Sequence, residues 1–259
     1  MSTQPDRPQT SERAVRERLD RVTDPELDES IVALDYVDEV AIEGRQVRVA
    51  FTLPTAWCSP AFAWMMATDA REEVEALPGV NRARIRLREH LHEEEITEGV
   101  NERLAFDEVF PDADGGVAEV RTTLDAKARL ARQYDAVETL LEAGLDPEQI
   151  AGLEFADLWL EDPAVVFVHE GSVGVSVPAE PIDASLEKAR ETGLVSDDHP
   201  EVFRTPEGDP IPVERFELVQ RRCRLATVNM GGQGSLCDAL NEARRAEGRP
   251  PLSPEEHIP

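Results

Sequence analysis

Residues 51–66 read FTLPTAWCSPAFAWMM and place a single cysteine between a strand pattern and a helix pattern. Every second residue of Val47–Leu53 is apolar, which is typical of a half-buried strand. Cys58 follows in a proline-containing loop. Ser59 is a good helix N-cap and Pro60 is favoured at the first helical position. The sequence therefore predicts a strand, a loop, a thiol and a helix start, in that order.

This position has a chemical consequence for Cys58. Unpaired backbone N–H groups and the positive end of a helix both lower the pKa of a nearby thiol. The thiolate is the form that binds metal or attacks as a nucleophile. The alternative is that Cys58 is a small buried apolar residue, as unpaired cysteines often are.

The segments around this stretch predict a compact α+β sandwich. Their apolar spacing and turn residues indicate two helices and three strands in the order αββαβ. The predicted elements are a helix at 11–22, strands at 37–42 and 46–53, a helix at 61–76 and a strand at 80–87. A helix that carries the chain between two strands of one sheet gives a layered structure. A second mixed helical and β module follows this sandwich.

Several motifs occur in this order along the same segment. They are VTDPEL at 22–27, SIV at 30–32, YV at 36–37, PTAWCSP at 54–60 and LPGV at 77–80. Together they resemble the PaaD/SufT-like family, also catalogued as domain of unknown function 59, over about residues 12–92. Members of that family assist the assembly of iron–sulfur or other metal centres.

The resemblance implies that Cys58 is the functional thiol. It also implies that other residues surround Cys58 and support its loop. They are Asp24, Glu26, Trp57 and either Thr52 or Thr55. Glu26 has two interpretations: it orients the loop or supplies an oxygen ligand, or it is a first-turn carboxylate that interacts with a helix dipole.

A single cysteine also limits the kind of metal site. Thiolate is a soft ligand suited to iron, iron–sulfur clusters or copper(I). Cluster sites usually need four thiolates, so Cys58 alone cannot complete one. We therefore expect Cys58 to bind an iron–sulfur cluster or iron only transiently. It would do so alone, in a site shared across a homodimer, or by contact with the metal site of a client protein.

Two further groups are candidate metal ligands. His90 and His92 would face the same side if they lay on a strand, but they also fit a solvated strand end. Cys223 and Cys237 are too far apart for a CxxC site and would contribute only by converging with Cys58.

The charge of the chain excludes some partners. It has 54 acidic and 27 basic residues, a net charge of −27, and only two lysines. Such a surface repels nucleic acid phosphates and anionic membranes. We interpret it as an adaptation to very high salt, where screening removes the self-repulsion. Stability should then be higher in molar KCl than in dilute buffer, and full stability at low salt would contradict this hypothesis.

The sequence also predicts the compartment. No apolar segment near Met1 resembles a signal peptide and no apolar run is long enough to span a bilayer, so we expect a cytoplasmic protein. Three widely spaced cysteines do not suit a disulfide scaffold, whereas reduced thiols or metal ligation fit.

The expected domain organisation has five parts. They are a disordered tail at 1–11, a PaaD/SufT-like domain at 12–97, a helical segment with an acidic linker at 98–122, a mixed α/β module at 123–247 and a proline-rich tail at 248–259. Glycines predict an interruption of the helical segment near Gly99 and a hinge within 229–235.

These observations favour a non-enzymatic maturation factor. Its partners would be client iron or iron–sulfur proteins and other assembly factors. One alternative is a thiol enzyme with Cys58 as nucleophile and His90 or His92 as base. Another is a protein-interaction adaptor in which Cys58 has no chemical role.

Overall fold

The computed structural model describes residues 10–113, 116–169, 171–194 and 200–247, and most side chains beyond residue 232 lie outside this description. The predicted tails fall outside it, apart from residues 10 and 11. The chain forms two compact units. Among the described residues, one unit comprises those up to Arg121 and those from Gln233 onward, and the other comprises those within Thr122–Gly232. Helices and small sheets occur in both, which confirms the α+β class.

The first unit contains the predicted αββαβ order. Its elements are α1 (Glu12–Leu19), the short strands β1 (Thr23–Asp24) and β2 (Glu29–Ser30), β3 (Val37–Glu43), β4 (Gln46–Thr52), α2 (Pro60–Glu75), β5 (Arg82–Arg88), α3 (Glu93–Glu102) and α4 (Phe106–Val109). The main sheet has the order β3-β4-β5. β3 pairs antiparallel with β4, and β4 pairs parallel with β5 because α2 returns the chain to the same end of the sheet.

One face of this sheet is buried because the strands alternate apolar and polar residues. On β5, Ala83, Ile85 and Leu87 are buried while the intervening arginines are wholly or partly exposed. Phe51 on β4 and several small residues of α2 complete the same core. Burying a side chain such as Phe51 or Leu87 stabilises the fold by roughly 1.5–3 kcal/mol.

The outer edge of β5 is closed by side chains rather than by another strand. Its outward backbone N–H groups donate to three side-chain oxygens at 2.9–3.2 Å. The pairs are Ala83 with Glu75, Ile85 with Asn101 and Leu87 with Thr97. An unpaired strand edge invites pairing with another chain, and this arrangement removes that opportunity while docking α3 beside the sheet.

The predicted interruption at Gly99 is wrong, since α3 runs through this residue. A Cβ atom at position 99 would lie 2.7 Å from the Trp64 ring and 2.8 Å from Val109. Gly99 is therefore a packing glycine. It lets Trp64 lie against α3 and make edge contacts with Phe106 and Phe110 at centroid distances of 5.6 and 6.2 Å.

The second unit joins helices to a three-stranded antiparallel sheet. Its elements are α5 (Val117–Glu142, which begins in the first unit), α6 (Pro147–Ala151), β6 (Leu158–Trp159), β7 (Ala164–Val168), β8 (Val173–Val177), α7 (Ala179–Glu191) and α8 (Phe216–Glu247, which ends in the first). The sheet order is β6-β7-β8. Among the described helices, none has the length and apolar character needed to cross a bilayer.

Two local predictions for this region differ from the structure. The predicted hinge at 229–235 lies inside α8, which continues through the glycines. The predicted acidic linker ends earlier than expected because α5 already begins at Val117. In α8 the continuous helix satisfies the backbone N–H and C=O groups, which offsets the low helix propensity of its glycines.

Candidate functional site

Cys58 lies in the loop between β4 and α2, two residues before the first residue of the helix. Its side chain is half-buried against the core of the first unit, and within the described chain it forms no disulfide. Ser59 is the N-cap residue and Pro60 occupies the first turn, as predicted. The backbone N–H of Cys58 points to the carbonyl of Thr55 at 3.5 Å, so the loop is a tight turn.

A second loop, which follows β5, holds the cysteine loop in place. The Nε2 atom of His90 lies 2.9 Å from the carbonyl oxygen of Cys58. The backbone N–H of Leu91 donates to the carbonyl of Ala56 at 2.8 Å. These contacts join positions more than thirty residues apart in the chain. The position of Cys58 therefore depends on residues 90 and 91 as well as on its own neighbours.

The hydrogen bonds of His90 define its tautomer. The backbone N–H of His92 donates to Nδ1 of His90 at 3.1 Å, so Nδ1 is the acceptor and Nε2 carries the proton that it donates to Cys58. Burial lowers the pKa of His90, against the opposing effect of the bond to the Cys58 carbonyl. A neutral imidazole with both nitrogens engaged is a positioning group, and this geometry does not favour His90 as a ligand or base.

His92 has different surroundings. Its ring lies edge-on to Phe110 with centroids 5.3 Å apart, and Nδ1 is 3.5 Å from a carboxylate oxygen of Glu95. Both histidines follow the end of β5 at Arg88, so the condition for a shared strand face is not met. Throughout the described ranges, no group of three or more His, Cys, Asp or Glu side chains is arranged to hold a metal ion.

Asp24 is buried and its carboxylate is committed to local structure. Oδ1 accepts the backbone N–H groups of Glu26 and Leu27 at 2.9 and 3.3 Å, and Oδ2 accepts the Tyr36 hydroxyl at 3.3 Å. Burial raises the pKa of Asp24, while these three bonds oppose the increase. The carboxylate fixes the turn that contains Glu26, whose side chain is half-buried.

The two candidate threonines have different positions. Thr52 is buried, and its hydroxyl donates to Asp38 at 2.6 Å. Thr55 is half-buried in the same loop as Cys58 and contacts it through the backbone. The geometry thus favours Thr55 as the loop threonine beside the thiol.

Two large apolar side chains are exposed on the paired loops. Trp57, next to Cys58, is 47% exposed, and Leu91, next to His90, is 54% exposed. Because the backbone of Leu91 is bonded to Ala56, both side chains belong to the surface around the thiol. Exposed aromatic and aliphatic groups of this kind are common at protein interfaces.

The structure describes the side chain of one of the other two cysteines. Cys223 belongs to the second unit and is fully buried, with Nε2 of Gln133 at 3.5 Å from its sulfur. Burial raises the pKa of the Cys223 thiol to about 11, so it stays protonated and is a poor ligand at neutral pH. The side chain of Cys237 lies outside the described residues.

Sequence reasoning placed His90 among the metal candidates and missed its contact with the cysteine loop. The only signal in the sequence was its position directly after a strand parallel to the one that precedes Cys58. Parallel neighbouring strands end at the same edge of a sheet, which brings the loops that follow them together.

Comparison with known proteins agrees with the resemblance seen in the motifs. No curated protein was found to match the chain. A family model does match, over the segment that contains the αββα core, the cysteine loop and most of β5. Residues 12–86 match the family of iron–sulfur cluster assembly proteins, which indicates cluster assembly as the general process in which this part of the chain takes part.

Proposed function

We propose that this protein is a non-enzymatic maturation factor in which Cys58 transiently binds an iron–sulfur cluster or iron and passes it to a client metalloprotein. The observation that carries the proposal is the half-buried thiol held by two loops at the start of a sixteen-residue helix. A helix N-terminus favours the thiolate, and thiolate is a soft ligand that suits iron and its clusters.

The number of ligands supports a transient role. A cluster generally takes four protein ligands, and in the described part of the chain Cys58 is not grouped with two or more other candidate ligands. The remaining ligands would come from the client, another assembly factor or a second copy of this chain. If another molecule supplies the remaining ligands, the iron or cluster is no longer held once that molecule leaves. A protein that transfers iron or a cluster needs such reversible binding.

The exposed side chains beside the thiol fit the same role. Trp57 and Leu91 give a partner an apolar contact next to the cargo. We expect client iron or iron–sulfur proteins and other assembly factors to dock here, in a cytoplasm that keeps thiols reduced. A thiol enzyme finds less support, because the nitrogens of His90 are already bonded and His90 contacts the Cys58 carbonyl.

The test is anaerobic reconstitution of the full chain. After incubation with ferrous iron and sulfide and removal of unbound reagents, we expect visible cluster absorption and retained iron, with a second copy of the chain completing the ligand set. The loaded protein should then restore an apo-ferredoxin faster than the same amounts of free iron and sulfide do. If the chain retains neither iron nor sulfide in several buffers, including molar KCl, the proposal fails.

A further inference from the structure

β5 concentrates positive charge on a very acidic protein. The strand reads RARIRLR, with arginines at 82, 84, 86 and 88, in a chain with twice as many acidic as basic residues. Because the intervening residues are buried, these four arginines share the solvent face of the sheet. A strand without a single acidic residue is therefore displayed on a surface that is acidic elsewhere.

The neighbouring strand increases this charge. Arg48 on β4 lies directly opposite Arg84 in the parallel register. Like charges placed opposite each other destabilise a sheet. Arg48 also contacts Glu43 at 2.5 Å, whereas Arg84 has no carboxylate partner among the residues that the structure describes. The pair at 48 and 84 thus reduces stability without an evident benefit to the fold.

Other arginines on this face are only partly neutralised. Arg88 contacts Glu39 at 2.7 Å and lies 3.9 Å from Asp38, and Arg86 is 3.5 Å from Glu93. Exposed pairs of this kind are weak, so an incoming carboxylate can replace them at little cost.

The arginines surround a groove between the sheet face and α3. It has a volume of about 340 Å³ and is lined by Arg48, Arg84, Arg86, Arg88, Glu39 and Asn101, among others. Four arginines and one glutamate are among these residues, and Glu43 and Glu93 contact two of the arginines from beside the groove. Arg84 therefore supplies the positive charge that no described carboxylate pairs.

We propose that this groove, the arginine groove, binds an extended acidic segment of a partner protein. Alternate residues of an extended chain are about 6.7 Å apart, so carboxylates at alternate positions match arginines at alternate positions of β5. The guanidinium fork binds carboxylate with two hydrogen bonds. At about 0.15 M salt the screening length is about 8 Å, so acidic groups farther away than this are screened. The incoming carboxylate competes with Glu39, Glu43 and Glu93 beside the arginines. A long nucleic acid would extend beyond the groove over the acidic surface of the protein, and its phosphates would be repelled by the negative net charge.

The experiment measures binding of a fluorescein-labelled peptide in which glutamate and threonine alternate over ten residues. The proteins compared are the full chain and its Arg84→Thr and Arg82→Thr variants. Binding is measured by fluorescence anisotropy at the lowest salt concentration that keeps the wild type folded. Arg82 lies on the same strand and face but does not line the groove, so its variant removes the same charge elsewhere. Threonine keeps the strand propensity in both variants.

We expect the Arg84 variant to bind about tenfold more weakly, as loss of a charge-assisted hydrogen bond predicts, and the Arg82 variant to stay within about twofold of wild type. The Arg84 variant should be at least as stable as wild type, because the repulsion from Arg48 is removed. The peptide with glutamine at every glutamate should not bind. Cys58→Ser should bind like wild type, since the arginine groove does not include the thiol.

Three results would overturn the proposal. One is equal weakening by both variants, which would show a diffuse charge effect. Another is binding of a labelled thymidine decamer as tight as that of the acidic peptide, which would indicate phosphate recognition. The third is absence of peptide binding by the wild type. If Arg84→Thr then also shifts from dimer to monomer, a second copy of the chain is the occupant.

Discussion

Replacing Cys58 with serine should abolish retention of iron and sulfide by the full chain after anaerobic reconstitution. Serine preserves the size of the side chain but offers a hard, protonated hydroxyl in place of a soft thiolate. Changing a residue that merely holds a ligand lowers metal affinity about 10–100-fold, so loss of the ligand itself should cost at least as much. Iron per chain and visible absorption are the measurements.

The matched control is Ser59→Ala. It changes the adjacent residue, whose side chain makes no hydrogen bond to the helix start within the described chain. We expect this variant to load like wild type. Equal loading of wild type and Cys58→Ser would show that the iron binds elsewhere. If Cys58→Ser also supported full client maturation in the cell, the adaptor interpretation would replace ours.

Replacing Asp24 with alanine should destabilise the chain by about 3 kcal/mol, because two backbone N–H groups and the Tyr36 hydroxyl lose their acceptor and each unmet group costs about 1–3 kcal/mol. The loss arises at a turn that joins β1 to β2, both close to the core of the first unit. Urea denaturation at neutral pH measures it.

Asp24→Asn separates hydrogen bonding from charge. Asparagine keeps an oxygen acceptor for the two N–H groups, so its stability should stay within about 1 kcal/mol of wild type. The raised pKa of Asp24 means that the folded state holds its proton more tightly than the unfolded state. The protonated form of Asp24 stabilises the folded chain at pH values below the pKa of Asp24 in the unfolded chain. This stabilisation is lost as the pH rises through the higher pKa of Asp24 in the folded chain.

Asp24→Asn should remove this part of the pH dependence of unfolding. Equal stability of wild type and Asp24→Ala would mean that water replaces the lost bonds and that Asp24 does not hold the turn.

Much of the first unit could be predicted from the sequence because its local signals agree with one another. Alternation from Val47 to Leu53 indicated β4, and Ser59 with Pro60 indicated the start of α2 to within one residue. A parallel return to β5 followed from the order of the elements. Local propensity, turn residues and apolar pattern all specified the same structure.

The glycines show where this reasoning failed. Gly99 and the glycines of 229–235 were interpreted as breaks, yet all lie in helices. At Gly99 the reason is a tertiary contact with Trp64, which is 35 positions away and invisible to a local pattern. Packing overrides propensity when the gain from a close approach exceeds the roughly 1 kcal/mol that glycine costs in a helix.

The candidate site was predictable in its centre but not in its surroundings. Cys58 and its loop followed from the motif. The contact of His90 with the Cys58 carbonyl and the display of Arg84 opposite Arg48 depend on strand pairing, and the sequence alone did not give that register. Asp24 was expected near the thiol, and the sequence did not predict that its carboxylate bonds to the turn after β1 and to Tyr36.

The most direct measurement of the central claim is alkylation of individual cysteines before and after loading with iron and sulfide, read by peptide mass spectrometry. We predict that Cys58 reacts readily in the unloaded protein and becomes protected when iron is bound. Cys223, which is buried with a pKa raised to about 11, should stay unreactive in both and serves as the internal reference. Alkylation of Cys58 at an unchanged rate while iron remains bound would contradict the account.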